Sequence, residues 1–183
     1  EHGRFAQNYF VGYQASDGYR DHDSSRKYTL GGKWFYGDLD EGMRIGLTAR
    51  AYHHEADEPG FMTAAEMAAH RRGSDLRNAH DGDDRDMRQL GLHLDLALTG
   101  DLSFGAKLYH NAYEDDRRVT FSDLPTGNAP RQRRLWDERQ NGLLATLNWR
   151  SGDVLTVEGG LNYEQQDNRY RRERFSYAEP TDF

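Results

Sequence analysis

The stretch "RQLGLHLDLALTG", Arg88 to Gly100, carries a leucine at every second position. Leu90, Leu92, Leu94, Leu96 and Leu98 share one face of an extended chain. Gln89, Gly91, His93, Asp95 and Ala97 share the other. A helix would scatter those leucines around its circumference, so the period of two specifies a strand with one apolar and one polar face.

The same alternation recurs on both sides of it. The apolar positions are Phe5, Tyr9, Val11, Tyr13 and Ala15 in one segment and Tyr28, Leu30, Trp34 and Tyr36 in the next. They continue as Met43, Ile45, Leu47, Ala49 and Ala51, and as Leu102, Phe104, Ala106 and Leu108. The last two sets are Leu143, Ala145, Leu147 and Trp149, then Leu155, Val157, Leu161 and Tyr163. This predicts about seven strands of roughly 9–13 residues, longer than the usual 5–6.

The connections are sorted by length. Tight turns at 37–42, 99–101 and 151–153 alternate with long polar connections at 16–27, 53–87, 114–139 and a tail from about 166. In an up-and-down sheet this places every tight turn at one end and every long loop at the other. Outer-membrane barrels have that asymmetry, with short periplasmic turns and long extracellular loops. A spanning strand of about 9–11 residues has an apolar lipid side, while the other side can hold Arg50, His93, Asp95, Lys107 and Glu158 in a wet lumen. Aromatic residues near strand ends (Tyr9, Tyr36, Trp149, Tyr163) suit interfacial girdles. The expected fold is therefore all-β, an antiparallel up-and-down transmembrane barrel, here some seven or eight strands of a larger one. A small closed outer-membrane barrel acting as an adhesin or lipopolysaccharide-binding scaffold, and a soluble β-sandwich binding module, are the alternatives.

The totals fit this reading. The chain has 183 residues, 36% of them hydrophobic and 30% charged, with net charge −7 and no cysteine. Disulfide scaffolds and thiolate metal sites are excluded. Charge is not blocked by sign, which argues against nucleic-acid binding. No run reaches the roughly 18 apolar residues of a membrane helix, and no signal peptide opens the chain. The start at "EHGRF" is expected to be that of a processed or excised piece. No nucleophile elbow, P-loop or dinucleotide fingerprint appears, so no enzyme is expected.

Within the loop 53–87, "TAAEMAAHRRG" (63–73) predicts a short helix. Thr63 is its cap, and Glu66 stands at capping-box spacing. The loop "SDGYRDHDSSRKY" (16–28) is almost wholly polar. Gly18 is expected to provide its turn, and Tyr19 and Arg20 to anchor that turn rather than hold ligand.

Several stretches resemble the TonB-dependent outer-membrane receptors. Ser16, Gly18, Tyr19, Arg20 and Ser24 look like that family's S-x-G-Y-R-x-x-S turn after an early barrel strand. "EADEPGFMTAAEM" (55–67) is similar to the LPG-x-LT loop of siderophore-receptor barrels, with Pro59, Gly60, Met62 and Thr63 matching and Glu58 in place of the leucine. "KLYHNAYEDDRRVTF" (107–121) resembles a strand rising into an extracellular loop. The resemblance implies a barrel of about 22 strands, of which this chain would be about a third. It further implies an N-terminal plug domain, not present here, and uptake of a scarce small ligand, most often a ferric siderophore. Energy would come through the TonB complex, reached by the missing N-terminal region.

Candidate ligand residues follow from chemistry. Arginine forks suit carboxylate, phosphate or catecholate oxygens, so Arg71, Arg72, Arg117 and Arg118 are candidates, with Trp136 beside them. Tyr52, Tyr109 and Tyr113 fall on the expected lumenal face near the loop end. The same arginines also suit lipopolysaccharide phosphates, so outer-membrane lipid is an expected partner. No covalently bound cofactor is expected; the iron chelate is the ligand. For metal ions, His53, His54 and His80 with Asp81 and Asp83 form a weak candidate set for copper, zinc or iron. Calcium favours acidic loops such as "HDGDDRD" (80–86), but that loop lacks EF-hand spacing and a terminal glutamate.

Overall fold

The computed structural model describes residues 4–120 and 131–175, with Phe175 described by its backbone alone. Seven antiparallel strands form one sheet in sequence order: β1 (Phe5–Ser16), β2 (Ser25–Asp38), β3 (Met43–Asp57), β4 (Gly82–Ala97), β5 (Leu102–Thr120), β6 (Arg131–Ser151) and β7 (Leu155–Phe175). Each strand pairs with its sequence neighbours, and β1 and β7 are the two edges.

The register carries the alternation across the whole sheet. Trp34 pairs with Leu47, Leu47 with Leu92, Leu92 with Leu108, Leu108 with Leu143, and Leu143 with Tyr163. Every partner of a leucine on β4 from Leu90 to Leu96 thus lies on the same face. That face is open: Val11 is 76% exposed, Leu30 58%, Leu92 50% and Leu161 59%. Among the described residues the sheet has one buried hydrophobic side chain, Val119. A soluble sandwich would cover such a face with a second sheet. Among the described residues no second sheet covers it. A continuous apolar face of this size requires an apolar solvent or partner.

The tight turns lie at one end. A short 3-10 turn, Leu39–Glu41, links β2 to β3 between Gly37 (φ 96°) and Gly42 (φ 104°). Leu98–Asp101 links β4 to β5, and Gly152–Val154 links β6 to β7. Tyr36 and Trp149 stand near that end of the apolar face. Toward the other end Tyr13 and Tyr28 pack with ring centroids 5.0 Å apart.

The loop boundaries differ from the expected ones. β3 continues to Asp57 and β4 starts at Gly82, so the loop is 58–81 rather than 53–87. β5 runs through Thr120, β6 begins at Arg131 and β7 reaches Phe175, so most of 114–139 and the first part of the tail are strand. The rest, 121–130 and 176–183, lies outside the described residues. The physical reason is solvent. Beyond the apolar band, water meets both faces, and hydrophobic alternation vanishes although the pleat and ladder persist. At about 3.4 Å per residue, a 21-residue strand extends to about 70 Å. A spanning segment needs only about 9–11 residues.

The helix of the 58–81 loop is α1 (Ala64–Ala69). Its capping box is complete: Glu66 N–H donates to Thr63 Oγ1 at 3.3 Å, and Thr63 N–H donates to Glu66 Oε2 at 2.6 Å. The loop docks onto the 17–24 turn mainly through Arg20. Its guanidinium donates to Gly60 O at 2.6 Å, Pro59 O at 3.2 Å and Gly73 O at 3.0 and 3.1 Å. Asp21 N–H donates to Arg72 O at 2.7 Å. Gly18 adopts φ 74°, and a Cβ there would lie 2.1 Å from Asp23 O, so the turn requires glycine.

Candidate functional site

Residue parity along the strands decides which side chains can meet. On β5, odd residues share the polar face and even residues the apolar one, so Arg117 and Arg118 point to opposite sides. Tyr52, Tyr109, Tyr113 and Trp136 lie on the polar face with Arg117. Arg118 lies on the other face, where it approaches Asp116 at 3.7 Å, and Arg133 forks onto Asp116 at 2.6 and 2.9 Å. Arg71 and Arg72 are exposed in the 58–81 loop. Arg72 donates to Tyr19 O at 2.8 Å and covers the Tyr19 ring at 5.4 Å. The eight candidates therefore divide among three places.

The polar face beyond the apolar band is where the chemistry concentrates. One cross-strand row reads His54, Arg85, Asp115, Trp136, Tyr170. Trp136 packs on Tyr170 with centroids 4.9 Å apart. The row nearer the band reads Tyr52, Met87, Tyr113, Glu138, and the row beyond reads Ala56, Asp83, Arg117, Arg134. Arginines and acids are interleaved. Arg85 Nη2 pairs with Asp83 at 2.5 Å, and Arg117 forks onto Glu58 at 2.7 and 2.9 Å.

Burial sets the electrostatics here. Desolvation pushes the Asp83 carboxyl above its ordinary range, outweighing the attraction of Arg85 and His54. The Tyr113 hydroxyl is raised by burial, then by the charge of Asp115. The paired bonds to Glu58 hold the Arg117 guanidinium still more firmly charged. Three buried atoms in the central row, His54 Nδ1, Arg85 Nε and Asp115 Oδ1, have no hydrogen-bond partner among the described residues. His54 Nδ1 and Arg85 Nε each face a carboxylate at 3.7 Å, so Arg85 Nε can still donate to water or a ligand oxygen, while Asp115 Oδ1 can only accept, as from water.

Glu58, Arg85 and Tyr170 were not among the sequence candidates, and Asp83 was expected only as a metal ligand. Counting parity back from Leu90 reaches Arg85 and Asp83 directly, but only if the strand is known to continue through charged sequence. Nearer the tight turns, Tyr109 covers Gly142, where a Cβ would meet the ring at 2.1 Å, and its hydroxyl donates to Glu164 at 2.6 Å.

The five candidate metal residues do not gather at one point, although His54 Nδ1 lies 3.7 Å from Asp83 on the polar face. His53 and His54, adjacent in sequence, face opposite sides of β3. Asp81 sits in the loop, accepting from Asn78 Nδ2 at 2.7 Å and from Thr120 N and Oγ1 at 2.9 and 2.8 Å. Burial raises its carboxyl above the ordinary range against those bonds. His80 lines a recess of about 510 Å³ with Asp81, Asp84 and Arg118.

One sheet, apolar on one side and polar on the other, sorted turns and strands that outrun the apolar band define a segment of a transmembrane β-barrel. No protein-family model and no curated protein matches the chain. Several solved structures share its fold, among them the following two. The unliganded ferric citrate transporter FecA aligns over 96% of this chain and 26% of its own, at 15% identity and TM-score 0.79. FpvA of P. aeruginosa, bound to a heterologous iron–pyoverdine, aligns over 98% of this chain and 26% of its own, at 12% identity and TM-score 0.65. Both likenesses are of fold, the fold that the sequence resemblance implies. The chain spans about a quarter of the length of either structure.

Proposed function

We propose that this chain is the part of an outer-membrane active-transport receptor that lines one side of its lumen and vestibule. Its ligand would be an anionic iron chelate, admitted from outside and released inward when a plug moves under TonB. The polar-face tier carries the reading: Arg117, Arg85, Tyr52, Tyr113, Trp136 and Tyr170 converge beyond the apolar band, on the side away from lipid. Arginine supplies forks for carboxylate or catecholate oxygens, and the aromatic pair supplies a flat apolar wall. Glu58 holds Arg117 through two bonds, so an entering anion competes with that carboxylate. An iron chelate is favoured because the fold likeness is to a ferric citrate transporter and a pyoverdine-bound protein. The open sheet, with β1 and β7 as separate edges among the described residues, favours a larger barrel over a closed eight-stranded one.

The test is equilibrium binding of radiolabelled ferric citrate and ferric pyoverdine to the whole receptor in outer membranes. Arg117→Ala and Trp136→Ala are expected to weaken binding of one chelate at least tenfold, and Arg118→Ala to leave it unchanged. Binding of neither chelate, or equal effects of Arg117→Ala and Arg118→Ala, contradicts the proposal.

A further inference from the structure

The apolar face of the sheet changes character at the Ala51–Arg88 pair and beyond it. There His53 and Glu55 on β3 stand directly opposite Asp86 and Asp84 on β4. Two residues from each strand thus form a square on one face, within side-chain reach of one another. We infer that His53, Asp84 and Asp86 form a binding site for one divalent transition-metal ion such as Zn2+, with Glu55 orienting the imidazole.

Distances support it. His53 Nδ1 lies 3.3 Å from Asp86 Oδ1 and 3.7 Å from Asp84 Oδ1. Bonds of about 2.0–2.1 Å in a tetrahedron give ligand–ligand edges of about 3.4 Å. The three donors all lie within 4.8 Å of one another, so an ion fits at the open apex with little movement. The other ring nitrogen, Nε2, faces Glu55 Oε1 at 3.4 Å. A carboxylate accepting from the remote N–H fixes the tautomer and turns the Nδ1 lone pair toward the ion, the usual outer arrangement of a metal-bound histidine.

Charge supports it independently. Three carboxylates surround one imidazole, and neither Asp84 nor Asp86 pairs with a lysine or arginine among the described residues. The next acid on the row, Asp116, is by contrast already neutralised by Arg133 and Arg118. One imidazole with two carboxylates is a donor set suited to zinc, and it leaves a fourth position open. Because His54 faces the other side, this site lies outside the lumenal tier. It stands whether or not the transport proposal does.

The experiment is a Zn2+ titration of the untagged, detergent-purified full receptor by calorimetry, repeated with Co2+ by visible absorption. One equivalent is expected to bind, with the d–d bands of four-coordinate Co2+. His53→Gln and Asp86→Asn are each expected to weaken binding at least tenfold and abolish those bands. Glu55→Gln weakens it by about tenfold, the lower end for an outer carboxylate. His22→Ala and His80→Ala leave it unchanged. Heat-modifiable gel mobility confirms that each variant is folded. Absence of a one-equivalent site, or a site whose affinity survives His53→Gln and Asp86→Asn, overturns the inference.

Discussion

Arg20 is expected to hold the 58–81 loop against the 17–24 turn, and Arg20→Ala tests this sharply. The half-buried guanidinium donates four hydrogen bonds to three carbonyls, Gly60, Pro59 and Gly73. A bond from a charged donor contributes about 1.5–3 kcal/mol. Three carbonyls at the lower end of that range would give about 5 kcal/mol, but in the variant water reaches them, which removes about half. The expected loss is about 2–3 kcal/mol of docking free energy, or roughly 30–150-fold in the opening equilibrium at about 1.4 kcal/mol per tenfold. The effect is local, because the strands of the apolar band keep their ladders. Undocked, the six-residue helix α1 is too short to persist alone. Hydrogen exchange with mass spectrometry reads this at Met67, His70, Gly73, Ala79 and Asp81, whose amides are bonded within the loop. Those amides should exchange about 30–150-fold faster while Leu90–Ala97 stays protected, and Arg20→Lys should fall between. Unchanged loop protection, or equal loss in the loop and in β4, would refute the reasoning.

Three further outcomes follow from the same structure. Asp81→Ala strands the Asn78 amide and the Thr120 N–H in a buried site, costing about 1–3 kcal/mol for each group in urea unfolding. Asp81→Asn should be nearly neutral at pH 7, since its carbonyl can accept both bonds and it removes a carboxylate that burial holds above its ordinary range. Asp116 has the opposite sign: hydrogen bonds from Arg133 lower its carboxyl. Its stabilisation is present above the unfolded value of about 3.9 and is lost as pH falls through the lower folded value. Exchange at the tips of β5 and β6 should therefore become less pH-dependent in Arg133→Ala below about pH 4. On the apolar face, Leu94→Lys should destabilise the protein by about 2–4 kcal/mol in refolding into lipid. Thr146→Lys, on the polar face near Asp95, should be tolerated.

The band was legible in the sequence because lipid and lumen impose unlike faces, and leucines such as Leu90 to Leu96 record that contrast directly. The capping box at Thr63 and Glu66 was legible for a similar reason: it is a local rule satisfied by two side chains. Strand length was not. From Asp57 back to Tyr52, and from Tyr113 to Thr120, both faces meet water, and no hydrophobic contrast remains to mark the pleat. The site suffered from the same loss. Tyr52 and Tyr113 could be placed because they continue a strand with contrast, whereas Arg117 and Arg118 read as neighbours in a loop. Parity separates them only when the strand is known to run on. Glu58 as the partner of Arg117 depends on a loop fold that nothing in its local sequence specifies.

The chain's lack of cysteine makes one measurement especially direct. Single cysteines placed from Gln89 to Leu96 in the membrane-embedded protein can each carry a nitroxide, and collision with oxygen and with a water-soluble nickel complex can be compared. Oxygen should dominate at positions 90, 92, 94 and 96 and nickel at 89, 91, 93 and 95, as a strand between lipid and a wet lumen requires. Equal access to both reagents along the stretch, or nickel dominant at the leucines, would contradict the account.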